Sequence, residues 1–486
     1  MRVLLANLAW FLSTLPDALR FRLALDDPAK AQARAAARRR PTRPEDVILE
    51  EPTSGTTGGT KWIPYTEQLR REFMRGVNPW MASVYLRHPG LFFRTHYWSI
   101  SPFTEVRQPE NGPRRGFAED REYLGPVRVR LTRALFPVTA AVAEERNPER
   151  HLLKTAKALA ASRRLGLVSV WHPSAFLRLL DFMAAHADET TDDPHLRDSL
   201  AARRFREVWP HLVLISCWDA AFARADARKL REMFPGTEIE GKGLLATEGV
   251  VTIPWFGRRV AAVTSHNLAF ERVDDASGEP VPGTAVGVEK LEAGKRYGVV
   301  LMTGNGFENY RLGDVVECVG FERRTPRLEF RYRAGGTVDL HGEKMHPAFA
   351  AEVVAKLEER FGRARFAVFS PRRDRRGYRL FWETDGKTLP GVAAVEELLR
   401  ANYHYAHAVN LRQLEPVEVV ETQDGIALWC RAVHVPRASA KPPALTAIPL
   451  DGACCVKARR HAAGAGGETM ESVSQWGAEH QDAFGP

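Results

Sequence analysis

Twelve residues from Glu50 to Lys61 hold the densest chemistry in the chain: Glu-Glu-Pro-Thr-Ser-Gly-Thr-Thr-Gly-Gly-Thr-Lys. Gly55, Gly58 and Gly59 allow tight turns that expose backbone N–H groups. The hydroxyls of Ser54, Thr56, Thr57 and Thr60 add donors, and Lys61 adds a positive charge. Such a loop suits phosphate oxygens. It is not a Walker A loop, which requires glycine before the lysine where this chain has Thr60. An ordinary Gly/Thr turn is the plain alternative, and the crowding of donors argues against it.

A second segment is Gly243-Leu244-Leu245-Ala246-Thr247-Glu248-Gly249. With Gly241 it also fits G-x-G-x-x-A, the loose dinucleotide fingerprint. That fingerprint must open a helix, whereas Val250-Val251-Thr252-Ile253 reads as a strand, so the dinucleotide reading is rejected. The other reading is a hydroxyl and a carboxylate offered at a strand end. A carboxylate beside a triphosphate suits Mg²⁺, which prefers oxygen ligands; a plain surface Glu is the default. The third segment is Tyr310-Arg311-Leu312-Gly313-Asp314. An Asp after a glycine turn can accept both hydroxyls of a ribose, or can simply stabilise a β-turn.

The order of these segments, followed by a small α/β region, resembles the adenylate-forming superfamily. More closely, it resembles the auxin-responsive acyl acid amido synthetases and their bacterial relatives. The likeness rests on Glu51 to Thr66, on Leu245-Ala246-Thr247-Glu248-Gly249 and on Asn309-Tyr310-Arg311-Leu312-Gly313-Asp314-Val315-Val316, and it extends over about residues 1–445. It implies a two-step ligase using ATP and Mg²⁺. A carboxylate attacks the α-phosphate to give acyl-AMP and pyrophosphate, and an amine, typically an amino acid, then displaces AMP. It further implies that Ser54, Gly55, Thr56, Thr57 and Gly58 grip phosphates and that Thr247 contacts the α-phosphate. Glu248 ligates Mg²⁺ and Asp314 holds the ribose. Ala246, Tyr310 and Arg333 join the nucleotide contacts, and Lys61 joins Glu248 in the catalytic set. A mobile C-terminal domain would deliver Lys441, from Ala440-Lys441-Pro442-Pro443, to the adenylate, swinging near Arg333-Ala334-Gly335-Gly336. A lysine before a Pro-Pro linker is otherwise solvent-exposed.

For the acyl group, Tyr97-Trp98-Ser99-Ile100-Ser101-Pro102 and Val170-Trp171-His172-Pro173 supply aromatic walls with a few polar groups. Trp98, Ser99, Trp171 and His172 are the candidates. His172 either orients the carboxylate or is a packing residue. Zinc is unsupported, because His341 and His346 lack companions at metal spacing. No G-x-S-x-G elbow occurs. The rivals are an acyl-CoA ligase sharing the first step, a catalytically impaired nucleotide-binding relative, and a nucleic-acid-binding protein using the basic N-terminus.

The elements that must position these groups read as α/β. Residues 1–40 are helical up to Pro41, Val47–Glu50 enters the loop as a strand, and 67–87 is a helix. Strand-like runs at 165–171, 212–217, 298–303 and 315–319 alternate with helices at 173–185 and 220–234. Residues 335–420 parse as β-α-β-β-α-β, with helices near 347–361 and 392–403, a compact ferredoxin-like unit. The expected organisation is a large multi-subdomain adenylating domain with mixed sheets over 1–332, a mobile C-terminal domain over 333–446, and a disordered tail over 447–486. Cys454 and Cys455 fall in that tail as incidental thiols. The stretch from Arg40 to Glu50 looks abbreviated against the family.

Composition bounds the rest. The chain has 486 residues, 44% hydrophobic and 27% charged, within the range of folded proteins. Its apolar runs are too short for a membrane span, and five cysteines form no disulfide framework. The net charge is +9, of which residues 1–46 carry +4 through nine Lys/Arg against five acids. Arginines elsewhere are mixed with acids, which argues against nucleic acid as a partner. The apolar stretch after Arg2 is broken by Asn7 and lacks a cleavage site, so no leader is expected and the cytoplasm is the expected location.

Overall fold

The computed structural model describes residues 1–53, 61–99, 114–115, 132–138, 142, 145, 147–171, 173–220, 223–274, 278–341, 343, 345–384, 388–433, 442–450 and 455–459. The N-terminal part begins with helices α1 (Arg2–Ala24) and α2 (Pro28–Arg38). Asp27 starts α2 by accepting the Lys30 N–H, and proline follows at the first helical position, where its missing N–H costs nothing. Strand β1 (Val47–Thr53) and strand β2 (Lys61–Thr66) run antiparallel on either side of the Gly/Thr loop. β2 passes directly into helix α3 (Glu67–Arg87), because the Thr66 hydroxyl accepts the Leu69 N–H.

A parallel four-stranded sheet follows. It consists of β3 (Thr95–Trp98), β5 (Leu165–Ser169), β6 (Leu214–Cys217) and β7 (Glu238–Gly241), in that spatial order. β5 and β6 are buried at every position, as a parallel sheet covered by helices requires. The covering helices are α4 (Pro148–Ala161), α5 (Pro173–Ala185) and α6 (Arg224–Met233). Their apolar stripes pack with Trp209, Phe205 and Phe234 into one core. A two-residue strand β4 (Arg114–Arg115) joins β1 in a separate small sheet.

The chain then forms a hairpin, β8 (Leu245–Ala246) with β9 (Gly249–Val250). Seven strands follow in a second, antiparallel sheet: β10 (Thr252–Trp255), β11 (Arg258–Ala261), β12 (Asn267–Arg272), β13 (Val286–Gly287), β14 (Arg296–Met302), β15 (Tyr310–Glu322) and β16 (Thr325–Arg333). Their spatial order is β10-β11-β16-β15-β14-β12-β13. Helices α1 and α3 lie against this sheet, with Phe21 fully buried edge-on to Trp255. That contact explains why a helix with five exposed leucines still docks: its other face carries Trp10, Ala18 and Phe21 into the core.

After β16 comes a smaller unit. Helix α7 (Pro347–Phe361), strands β17 (Ala364–Pro371) and β18 (Tyr378–Thr384), helices α8 (Val392–Leu399) and α9 (Tyr403–Asn410), strand β19 (Glu418–Thr422) and helix α10 (Gly425–Val433) build it. It has its own core around Trp382, Tyr378 and Tyr405. The large and small α/β parts match the sequence expectation, but the inner order departs from the ferredoxin-like pattern. Among the described residues the first expected strand does not form. Residues 338–345 make a single bridge, Val338 to Met345, because the Glu343 carboxylate collects the Leu340 and His341 N–H groups and curls the segment. β18 therefore pairs directly and in parallel with β19. The second helix also breaks: the Asn402 side chain accepts the His404 and Tyr405 N–H groups and starts α9 afresh.

The expectation of no regular structure after residue 447 is corrected. Strand β20 (Cys455–Arg459) adds antiparallel to β19. Leu450 is buried, its N–H held by the Ser370 hydroxyl. Cys454 and residues 460–486 lie outside the described residues. No described helix is long and apolar enough to cross a membrane.

Candidate active site

The second and third motifs meet through a hydrogen bond. Glu248 sits in the turn of the β8–β9 hairpin and is only 6% exposed. Its Oε1 accepts a 3.2 Å hydrogen bond from the Tyr310 hydroxyl at the start of β15. Burial and the Glu248 carboxylate push the Tyr310 phenol up to about 12, so it stays a neutral donor. The Tyr310 ring stacks on Phe307 with centroids 4.3 Å apart and planes within 9°, which fixes the direction of its hydroxyl.

β15 then bulges. Arg311 pairs with Val300 and Val315 with Gly298, so three residues of β15 face one of β14. Gly313, at φ +83°, supplies the left-handed turn that this bulge needs. The bulge turns Asp314 inward, where it is buried. Arg333, its cross-strand partner at the end of β16, holds Nη1 3.7 Å from the Asp314 carboxylate and donates Nη2 to the Leu312 carbonyl. Burial pushes the Asp314 carboxyl up to about 6; Arg333 opposes that rise and the Glu248 charge adds to it. Arg311 points elsewhere, in a two-pronged pair with Glu271.

A buried frame behind these groups was not legible in the motifs. His266 Nε2 accepts the Val250 N–H at 2.5 Å, directly after the Glu248 turn, and its Nδ1 lies 3.3 Å from Glu72 on α3. Burial alone would push Glu72 up, but the His266 ring and the Gly304 N–H outweigh it and hold the carboxyl below its usual value. Thr66 donates to the Gly304 carbonyl, and Asn305 donates to the Pro64 carbonyl. The strand leaving the Gly/Thr loop, the Glu248 hairpin and the turn before Tyr310 are thus tied together. A Cβ on Gly249 would lie 2.8 Å from His266 Nε2. Gly249→Ala is therefore expected to cost about 1–3 kcal/mol through overpacking and to lower any Glu248-dependent activity several-fold. Thermal melting alongside the activity assay checks it; an unchanged melt would mean the frame is slack.

An aromatic cleft opens at the carboxyl ends of the parallel strands, where open α/β sheets bind ligands. Trp98 ends β3 and Ser169 ends β5, opposite each other in register. Among the described residues the cleft is lined by Phe73, Met74, Val77, Trp80, Trp98, Ser169, Trp171, Lys242, Leu245, Ile253 and Pro254, and it encloses about 580 Å³ including the open space at its mouth. Two predicted acyl residues, Trp98 and Trp171, are in this lining. Ser99 is beside it, its N–H donating to the Ser169 carbonyl. Lys242, immediately after β7, was missed: the flanking Gly241 and Gly243 drew attention only as a failed fingerprint. A lysine between two glycines at the end of a strand was the available signal.

Of the remaining predicted residues, Ala246 lies in β8 and Thr247 in the turn beside Glu248. Lys61 begins β2. Ser54, Gly55, Thr56, Thr57, Gly58, His172 and Lys441 lie outside the described residues. The segment following Lys441 is anchored, since Phe369 and Leu445 form a bridge flanked by hydrogen bonds to Ala444 and Thr446. Among the described residues no cluster of three or more metal-ligating side chains occurs. A single buried carboxylate such as Glu248 fits Mg²⁺, which completes its shell with phosphate oxygens and water.

Residues 44–198 match the GH3 family N-terminal domain and residues 262–333 the GH3 family central domain. The indole-3-acetic acid-amido synthetase GH3.10 of Arabidopsis thaliana is 30% identical over 165 residues, 31% of this chain and 27% of that protein. The jasmonoyl–L-amino acid synthetase GH3.5 of Oryza sativa subsp. japonica is 30% identical over 162 residues, 31% of this chain and 28% of that protein. The matched stretches thus span under a third of these curated relatives' length. The structure of the AtGH3.15 acyl acid amido synthetase in complex with 2,4-DB superposes with a TM-score of 0.69 at 15% identity, covering 85% of this chain and 82% of that one, which establishes a shared fold. Two stretches of the chain, 44–198 and 262–333, thus match consecutive GH3 family domains in order, and the fold is shared with a GH3 acyl acid amido synthetase structure.

Proposed function

We propose that this chain joins a small carboxylic acid to an amine, typically an amino acid, by way of an acyl-adenylate. The observation that carries the reading is the meeting of Glu248, Tyr310, Asp314 and Arg333 in one cluster. In the first step a carboxylate oxygen attacks the α-phosphorus of ATP and the bond to pyrophosphate breaks. In the second the amine nitrogen attacks the acyl carbon, loses a proton and expels AMP. Such chemistry depends on positioning and on neutralising phosphate charge.

The roles are those the family resemblance implies, supported for Glu248, Tyr310, Asp314 and Arg333 by their contacts with one another. Asp314, ionised above about 6, accepts the ribose hydroxyls, and Arg333 offsets its charge. Glu248 is the Mg²⁺ ligand, held in place by the Tyr310 hydroxyl; bound Mg²⁺ screens the phosphate charge. Thr247 and Ala246 lie along the α-phosphate. Ser54 to Gly58 and Lys61 grip the outer phosphates. The aromatic cleft takes the body of the acid, with His172 as a further contact. The C-terminal unit beyond Arg333 turns about Gly335 and Gly336 to bring Lys441 to the adenylate; Gly335 already has φ +73°. The substrates are small molecules of the cytoplasm.

The test is pyrophosphate release with ATP, Mg²⁺ and pools of aromatic, indole and fatty acids, with amino acids and CoA as acceptors in separate wells. Acid-dependent release, with product only in the amino-acid wells, is the expected result. Thioester with CoA would replace amide synthesis by acyl-CoA ligation. ATP binding without release from any pool would reject turnover.

A further inference from the structure

We infer that Lys242 is the residue that recognises the acid, its ammonium receiving the carboxylate of a flat aromatic substrate inside the cleft. The inference deepens the proposed acid activation and takes its kinetic consequence from that reading; the binding event itself can be measured without it. Four observations converge. Among the described residues lining the cleft, Lys242 is the one ionisable side chain, and the remaining walls are aromatic or aliphatic apart from Ser169. Its Nζ lies 2.5 Å from the Ser169 hydroxyl, 5.2 Å from the centroid of the Trp171 ring and 5.6 Å from that of Trp80. The cation is thus steered by a hydroxyl and two indoles. Its backbone is pinned as well, with the Lys242 N–H donating to the Cys217 carbonyl at the end of β6. Finally, Lys242 and Glu248 lie at two ends of one short loop-and-hairpin segment. Gly243, at φ +80°, turns that segment, and the Leu244 N–H is fixed by the Thr252 hydroxyl.

These facts select a substrate class. In an apolar cleft a carboxylate gains a charge-assisted hydrogen bond with the ammonium, while a neutral carboxamide of the same shape does not. Flat bodies fit between the indole walls.

The experiment uses the full chain. Calorimetry measures binding of benzoate, phenylacetate and indole-3-acetate against their carboxamides, without ATP. At least one acid is expected to bind ten-fold or more tighter than its amide. Lys242→Met, which keeps the stem on the rings, is expected to erase that preference, and Lys242→Arg to keep most of it. Near-ultraviolet circular dichroism checks that the indole environment of the variants is retained. In the pyrophosphate assay, Lys242→Met should raise the KM for the acid at least ten-fold and leave the KM for ATP unchanged. Equal binding of acid and amide, a preference surviving in Lys242→Met, or no binding by any of the three acids would overturn the inference. An acid preference lost in Lys242→Met, with no pyrophosphate release from the native protein, would uphold Lys242 and reject adenylation.

Discussion

Glu248→Gln is expected to lower acid-dependent pyrophosphate release by on the order of 100- to 1,000-fold, the usual loss when a group that stabilises developing phosphate charge is removed. The substitution is chosen for its shape. Glutamine keeps an oxygen that can accept the Tyr310 hydroxyl, now 3.2 Å from Oε1, so the hairpin turn stays and only the charge goes. Binding of acids in the cleft should be unaffected, because Leu245 rather than Glu248 is part of its lining. Added Mg²⁺ should recover part of the rate. Tyr310→Phe removes the hydroxyl that orients Glu248 but leaves its charge, and so should cost only about ten-fold or less. Steady-state rates of the two variants across a Mg²⁺ series are the check. A Glu248→Gln enzyme with native rates would remove Glu248 from the chemistry and leave it as a structural acceptor for Tyr310.

How much of this was readable beforehand depended on the range of the interactions. The helix from Glu67 to Arg87 was legible to the residue, because its start is set locally by the Thr66 hydroxyl on the Leu69 N–H. The resemblance assigned Glu248, Tyr310, Asp314 and Arg333 to one nucleotide site, but not the contacts of Glu248 with Tyr310 and of Asp314 with Arg333. Residues 62 and 19 positions apart carry no local signal that they will meet, and a β-bulge does the final aiming. Lys242 escaped for the same reason: its value lies in Ser169, Trp171 and Trp80, all distant in sequence. In the C-terminal unit the helices and the three later strands came in the expected order, but the first expected strand did not form and the second helix was split. There local side-chain hydrogen bonds won over periodicity: Asn402 split one helix and Glu343 curled the segment expected to be a strand. The strand at Cys455–Arg459 has little local propensity to announce it and exists by pairing with β19.

Asp314→Asn is expected to abolish function while making the fold more stable. Its carboxyl is buried and pushed up to about 6 from 3.8. The sign of the stability effect follows from that rise. Below pH 3.8 the group is protonated both folded and unfolded, and contributes nothing. Between 3.8 and 6 the unfolded chain ionises while the folded one does not, so stability is lost as pH rises. Above 6 both are ionised and the penalty is constant. At 1.36 kcal/mol per unit the penalty is about 3 kcal/mol at pH 8, a ceiling to which the Arg333 interaction has already contributed its offset. Asparagine carries no such charge, so its thermal midpoint should exceed that of the native protein at pH 8, and the two should converge near pH 4. The same substitution removes two charge-assisted acceptors for the ribose and should weaken nucleotide binding by roughly 100-fold. In the native protein, nucleotide affinity should fall as pH drops through 6, because the ionised carboxylate is the acceptor. A midpoint that falls at pH 8 would show instead that the carboxylate stabilises the fold through Arg333. A buried charge that costs stability in the free protein and regains it only when a ligand is bound is what a binding residue requires, and structural packing alone does not account for keeping it.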